Sequence, residues 1–332
     1  MNLNASNILI VKYSSLGDVV NAIPAVGFLR KSCPKARIHW LVKKEYEGLL
    51  SGSPLVDEVV LYGDFFGTVR KIRSLNIDCV VDLQGLFKSA LIGYLSGAKV
   101  RVCFPHTREG SALFYTRRVG LPRRGVHAIV ENLSVVEGLL GKKSAGGRYP
   151  AISLNGDTRA RVREILGGRF KGFIAVSPTS RWRTKMWGAG NFALFSDMLI
   201  ERMGVDVVFT GVGGDSGYIE GIRAKMKNPS LNLAGKTDIK TLAGVFSEAG
   251  VVVSCDSGAM HLASATGTPV VAIFGPTDPS YTGPFNKNSL VITSGADCAP
   301  CRRRSCGGLK CMEGITPRMV SEGVERVLSR KV

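Results

Sequence analysis

Acidic residues are scarce in this chain: 26 Asp and Glu stand against 44 Lys and Arg in 332 residues, a net charge of +18. A field of that sign draws polyanions: nucleic acid, an anionic membrane surface or acidic substrates. Long apolar runs are missing too. None approaches the ~20 residues that span a bilayer, so no membrane-spanning helix is expected. The opening MNLNASNILIV has no basic n-region, no long apolar core and no cleavage site, and reads as a first strand rather than a secretion signal. The chain is expected in the cytoplasm. Its first strand-to-helix turn carries neither Gly-x-Gly-x-x-Gly nor a Walker lysine, and no acidic residue is convincingly placed for a ribose at the end of the second strand. A nicotinamide-dependent dehydrogenase is set aside on that ground. No RNA- or DNA-binding motif occurs, and the aromatics are not interleaved with the basic run in a stacking pattern, so no nucleic-acid partner is expected. No acidic pair is placed to hold a catalytic metal, and there is no internal repeat or low-complexity tract.

What is present is an alternation. With 45% hydrophobic residues and a length that suggests two domains, the chain reads as a soluble α/β protein. NILIVKY, RIHWLVK, EVVLYG, DCVVDLQG and VRVCFP are near-continuous apolar runs of strand length, the pattern of buried parallel strands. Helical spacing fills the gaps: Asp18 to Ser32, FFGTVRKIRSLN and LFKSALIGYLSG. The Gly-, Lys- and Ser-rich stretch GKKSAGGRYPAISLNGD marks the interdomain connection. A second series follows: strands GFIAVSP, VDVVFTG, VVVSCDSG and PVVAIFGPTDP, and helices from about Asn191, LAGVFSEAG and AMHLASATG. Two consecutive doubly wound units facing one another make a cleft, with ligands expected beyond the C-terminal ends of the strands.

Four loops fall at such ends: YSSLGD (13–18), SPTSRWRTKMW (177–187), GVGGDSG (211–217) and CDSGAMH (255–261); FGPTDP (274–279) lies close behind. In CDSGAMH, Asp256, Ser257 and Gly258 sit where a strand becomes a helix. Free N–H groups there bind phosphate oxygens, although Asp or Ser at that place is also plain capping and His261 reads equally as a packed core residue. In SRWRTKMW, Lys185 among Arg181, Arg183, Trp182 and Trp187 suits a diphosphate as a point charge; a basic surface loop is the alternative. The two loops together favour a nucleotide-diphosphate site over either alone. In GVGGDSG, Asp215 suits ribose hydroxyls, though Gly-Gly-Asp is also simple turn chemistry. Asp18 is the odd residue: a carboxylate at a helix start, where a phosphate would not want one. The helix dipole keeps it ionised. It reads as a base for a sugar hydroxyl if the second domain holds the nucleotide, and otherwise as a residue that stabilises the helix start.

Of eight cysteines, Cys33, Cys79, Cys103 and Cys255 are scattered and read as reduced, mostly buried thiols. Cys298, Cys301, Cys306 and Cys311 cluster in CAPCRRRSCGGLKC, a spacing compatible with a structural zinc or an iron–sulfur cluster, or with free thiols. The interleaved Arg302, Arg303 and Arg304 favour thiolates. A second basic run, Lys99, Arg101, Arg108, Arg117, Arg118, Arg123 and Arg124, has the single acid Glu109 within it.

These motifs together resemble the ADP-heptose:lipopolysaccharide heptosyltransferases of glycosyltransferase family 9. The matching stretches are ILIVKYSSLGDVVNAIPA, VVDLQGLFKSA, REGSALFYTRR, HAIVEN, TSRWRTKMW, VVVSCDSGAMHLASATGTPVVAIFGPTDP and ITPRMV, nearly the whole chain. DLQGLFKSA and REGSALFYTRR are most similar to the type I enzymes, which add the first heptose to the Kdo region of the inner core. The resemblance implies a GT-B fold: an acceptor-binding Rossmann-like domain over 1–155, a nucleotide-sugar-binding one over 156–315, and a helix over 316–332 returning towards the first. It implies inverting heptose transfer from ADP-heptose to Kdo-lipid A, with no cofactor required for catalysis. Asp18 falls on the family's general base. Thr179, Ser180, Lys185, Asp215, Asp256, Ser257, Gly258 and His261 fall on donor-site positions. An anionic acceptor at the cytoplasmic face of the inner membrane gives Ser15, Gly17, Arg70, Lys71, Arg73, Gln84, Lys88, Arg108, Arg117 and Arg118 as acceptor candidates, with peripheral, salt-sensitive membrane association. Heptosyltransferase II, another family 9 transferase and, more remotely, a basic nucleic-acid-binding protein are the competing readings.

Overall fold

The computed structural model describes residues 5–121, 125–144, 152, 154–167 and 172–330. They form two compact units, Met1–Ser153 and Leu154–Val332. The boundary falls in the stretch read above as the connection, of which 145–151 and 153 lie outside the described residues.

The first unit carries strands β1 (Asn7–Val11), β2 (Arg37–Lys43), β3 (Glu58–Tyr62), β4 (Cys79–Asp82), β5 (Val100–Cys103) and β6 (Arg117–Arg118), with helices α1 (Leu16–Ser32), α2 (Glu47–Leu50), α3 (Phe65–Arg73), α4 (Phe87–Leu95) and α5 (Ala128–Leu140). The strands pair in the order β3-β2-β1-β4-β5-β6, and all the pairings are parallel. Ile8, Leu9, Ile10 and Val11 have no exposed surface. Consecutive burial on both faces of a strand needs helices on both sides, which the crossovers supply. Ile10 sits opposite Trp40 on one side and Val81 on the other. Helix α1 packs on α5, and the buried Asn132 Nδ2 donates to the Asn21 carbonyl between them at 3.1 Å.

The second unit carries α6 (Gly156–Ile165), β7 (Ile174–Ser177), α7 (Ala189–Met203), β8 (Val207–Phe209), α8 (Ser216–Arg223), β9 (Leu231–Asn232), α9 (Ile239–Glu248), β10 (Val251–Cys255), α10 (Gly258–Ala265), β11 (Val270–Ile273), α11 (Pro279–Thr282), β12 (Leu290–Ile292), α12 (Lys310–Glu313) and α13 (Pro317–Ser329). Its strand order, β12-β11-β10-β7-β8-β9, repeats that of the first sheet when counted from its own first strand. The core beneath it is aromatic, with Phe192, Phe195 and Phe209 fully buried. The helix read from sequence over 316–332 is present as α13. Its apolar face, Val320, Val324 and Val327, belongs to the second unit's own core, against α7, β10, β11 and β12. Burying three valines there is what fixes it.

Asp82, at the end of β4, is fully buried. Oδ1 accepts from the Gln84 and Gly85 N–H groups at 2.8 and 3.0 Å, and Oδ2 from the Tyr115 hydroxyl at 2.7 Å. Burial pushes this carboxyl up, against the lowering effect of those donors. The ionised form is therefore a cost at neutral pH that is relieved as pH falls. Asp82→Ala leaves three donors without an acceptor and is expected to lower unfolding stability by roughly 3 kcal/mol in urea titrations. Asp82→Asn, which keeps Oδ1, should lose much less and show a flatter pH dependence.

Candidate active site

In a parallel sheet every strand ends at the same edge. Where strand order reverses, neighbouring crossovers leave on opposite faces and open a crevice between two loops. The reversal lies between β1 and β4 in the first sheet and between β7 and β10 in the second. The loops after β1, β7 and β10 are among those singled out from sequence; the loop after β4 was represented there only by Gln84.

At the second reversal, the loops after β7 and β10 are cross-linked by side chains. Lys185 Nζ donates to Asp256 Oδ2 at 2.6 Å, and Thr277 Oγ1, from the loop after β11, donates to the same oxygen at 2.6 Å. Ser180 Oγ donates to the Asp256 carbonyl at 2.8 Å. Thr179 Oγ1 reaches Asp215 Oδ2 at 3.0 Å, and that oxygen also accepts from the Val212 N–H at 2.9 Å. The Gly-rich turn follows from close packing: a Cβ on Gly235 would lie 2.8 Å from the Cα of Gly213, so this approach needs glycine. Ser257 occupies the N-cap of α10 and Gly258 its first turn, and Ser257 Oγ lies 3.3 Å from Ser254 Oγ. His261 is buried, 5% exposed, within α10. Lys185, read from sequence as a diphosphate contact, is ion-paired with Asp256 within its own unit, with only 16% and 7% of the two side chains exposed. The ammonium has three N–H donors and Asp256 uses one.

At the first reversal, Ser15 precedes α1 as its N-cap. Asp18 Oδ2 accepts from the Ser15 N–H at 3.0 Å and from its Oγ at 2.7 Å, the first of which is the returning bond of a capping box. Asp18 is exposed while Gly17, Val19 and Val20 are buried. Gln84 Oε1 accepts from the Ser14 N–H at 3.5 Å, which joins the two loops. Lys12 is buried and donates to the Leu83 carbonyl at 2.5 Å. Behind this edge, His106 Nε2 and Glu131 Oε1 are 2.9 Å apart. Burial pushes the Glu131 carboxyl up; His106, Lys12 and Arg108 pull it down, and the charge of Asp18 adds to the rise. Lys12, His106 and Glu131 were not singled out from sequence, although Glu131 lies within the quoted HAIVEN and its helix has a plain apolar face.

The basic candidates divide. Lys88 opens α4 and Arg108 follows β5, both exposed on the side of the sheet where the strands end. Arg117 and Arg118 form the exposed edge strand β6. Arg70, Lys71 and Arg73 sit in the last turn of α3. A helix that follows a parallel strand runs back along it, so its last turn lies at the opposite end of the sheet. There Lys71 Nζ pairs with Glu58, the first residue of β3, at 2.8 Å. These three are not brought to the Asp18 loop.

Cys298, Cys301 and Cys306 are exposed and Cys311 is buried, all as free thiols. Burial, and then the charges of the other three, push the Cys311 thiol up. Among the described residues no three His, Cys, Asp or Glu side chains are placed to hold a metal ion.

Two doubly wound parallel sheets, each with its polar loops at the strand reversal, define the GT-B class of fold. The sequence matches the profile of Glycosyltransferase family 9 (heptosyltransferase) over residues 66–311, and the chain belongs to that family. It is 27% identical over 322 residues to lipopolysaccharide heptosyltransferase 1 of Pseudomonas aeruginosa, covering 90% of this chain and 87% of that one. Its fold is similar to the crystal structure of a family 9 glycosyl transferase from Veillonella parvula, with a TM-score of 0.88 at 22% identity over 99% of both chains. The ADP-heptose lps heptosyltransferase II of Escherichia coli gives a TM-score of 0.83, also at 22% identity, over 98% of this chain and 99% of its own. The protein is thus a glycosyl-transferring enzyme, a heptosyltransferase of the lipopolysaccharide core.

Removing the carboxylate that joins the loops of the second unit leaves a mostly buried ammonium without its counter-ion. Asp256→Ala is expected to lower stability by about 2 kcal/mol in chemical denaturation, and Asp256→Asn by less, since the amide oxygen can still accept from Thr277.

Proposed function

We propose that the protein transfers heptose from ADP-heptose to the Kdo region of the lipopolysaccharide inner core, with inversion at the anomeric carbon. The second unit supplies the donor contacts and the first the acceptor contacts. The observation that carries this reading is the exposed Asp18 carboxylate at the first strand reversal, held in place by Ser15. In the reaction, Asp18 takes the proton of the acceptor hydroxyl as that oxygen bonds to the anomeric carbon. The carbon–oxygen bond to the diphosphate breaks, and its electron pair leaves with ADP. Cationic groups at the second reversal stabilise the charge that develops there. Thr179 and Asp215 suit the nucleoside, Ser257 and Gly258 the phosphates.

The test is transfer from ADP-heptose to Kdo-lipid A by wild type, Asp18→Ala and Asp18→Asn, with ADP binding measured on all three by calorimetry. Wild type should be active, and both variants should lose at least about a hundredfold in kcat while binding ADP normally. Variants that transfer as fast as wild type would reduce Asp18 to a helix-start residue. Activity only on a heptosylated acceptor would move the enzyme to the type II reaction.

The acceptor is a lipid, and the first unit has an edge suited to an anionic membrane surface. Leu113 is 88% exposed, Tyr94 52% and Phe87 42%, joined through Phe114, whose ring centroid is 5.5 Å from that of Phe87 and 5.6 Å from that of Tyr94. Lys88, Arg108, Arg117 and Arg118 are nearby in sequence and exposed. Among the described residues no helix is long and apolar enough to cross a membrane, so association in this reading is peripheral. Sedimentation with phosphatidylglycerol vesicles should fall steeply as salt rises, and Leu113→Asp should weaken it further. Binding that ignores both changes would discard this surface. The exposed cysteines read as reduced thiols in this arrangement. A structural zinc or iron–sulfur group requires three of them to close on Cys311, which metal analysis of the purified protein decides.

A further inference from the structure

The basic stretch between the cysteines has no part in the account above, yet it is built into the second strand reversal. The Arg302 N–H donates to the Pro276 carbonyl at 2.7 Å, and Thr184 Oγ1 donates to the Arg303 carbonyl at 2.9 Å. Pro276 is next to Thr277 and Thr184 is next to Lys185, so each anchor is one residue from a side chain that holds Asp256. Arg302 takes a left-handed conformation, φ +57°, which is unfavourable for a residue with a Cβ. Its guanidinium lies 4.9 Å from the centre of the Tyr281 ring. Gly275 permits the close approach of Met312 and Cys311 at the other end of the loop, where a Cβ would collide with Met312 Sδ.

This anchoring delivers one side chain to a defined place. The Arg304 guanidinium sits 4.8 Å from the centre of the Trp182 ring, and Lys185 Nζ sits 4.5 Å from the same centre. The two cations share one indole but differ in charge balance. Lys185 is neutralised by Asp256. Arg304 has no carboxylate within ion-pair distance among the described residues. A diphosphate approaching the Lys185–Asp256 pair alone meets no net charge, so a further cation is required for electrostatic gain. Arg181 and Arg183 are exposed as well, but neither is stacked on a ring. Arg304 is already ordered beside Lys185, and its planar fork suits two phosphate oxygens.

We propose that Arg304, carried by the cysteine-bounded loop 298–311, is a second cationic contact for the donor's diphosphate; this rests on reading the second strand reversal as the nucleoside-diphosphate site. Calorimetry with ADP and with adenosine, on wild type, Arg304→Ala, Lys185→Ala and the charge control Arg163→Ala on the exposed face of α6, tests it. Arg304→Ala should bind ADP about tenfold more weakly and adenosine as wild type does, with an unchanged Tm, while Arg163→Ala binds both normally. Wild-type ADP affinity in Arg304→Ala beside a loss in Lys185→Ala would overturn the role of Arg304 and leave the donor site standing. Equal weakening for adenosine and ADP would make Arg304 a packing support for Trp182 and overturn the proposal. Wild type that binds neither ligand would overturn the donor site and this inference together.

Discussion

The constraint from which the rest follows is the direction of the strands. A parallel hydrogen-bond ladder sends every strand's C-terminal end to one edge of its sheet. Reversing the strand order between β1 and β4, and again between β7 and β10, parts the crossovers at two points on those edges. The apolar middle of each strand has only to be buried: Ile8 to Val11 and Val251 to Val253 do this with no exposed surface. The residues just past the strand ends are then released from packing duty, and those are the polar ones.

The two reversals treat a carboxylate in opposite ways. Asp18 projects at a helix start beside Ser15, which donates to it, and is exposed on a unit otherwise rich in cations. Asp256 is 5% exposed and gripped by Lys185 and Thr277. An exposed carboxylate keeps its capacity to accept a proton from another molecule. A buried, paired one is a fastening whose work is to hold loops from β7, β10 and β11 in register. In the proposed reaction the same residue type serves as reagent in one place and as joint in the other because water reaches one and not the other.

Much of this was legible in the sequence. Continuous Val, Ile and Leu runs have few fates in a soluble chain, so the long strands and the two-unit plan could be read directly, and the loops at their ends followed. What escaped were elements whose signal is weak or non-local. The two-residue strands β6 and β9 have no pattern to find. Helix α5, with eight of its residues buried, was hidden behind a basic stretch. Charge alone did not tell which end of its helix Lys71 occupies, nor that it pairs with Glu58. The spacing of the four cysteines was compatible with a metal or with free thiols and did not show that the loop exposes three and buries one. The Lys185–Asp256 pair joins residues 71 positions apart, a distance that no local pattern spans.

Trp182 gives the molecule a further property. The chain has three tryptophans. Trp40 is fully buried in the first sheet and Trp187 is 3% exposed, with its indole N–H donating to the Ile315 carbonyl at 2.8 Å. Their surroundings are fixed by the core. Trp182 alone is partly open to solvent, flanked by the charges of Lys185 and Arg304. Indole emission responds to nearby charge, so light emitted from this one ring carries a record of what occupies the second strand reversal, against a constant background from the other two.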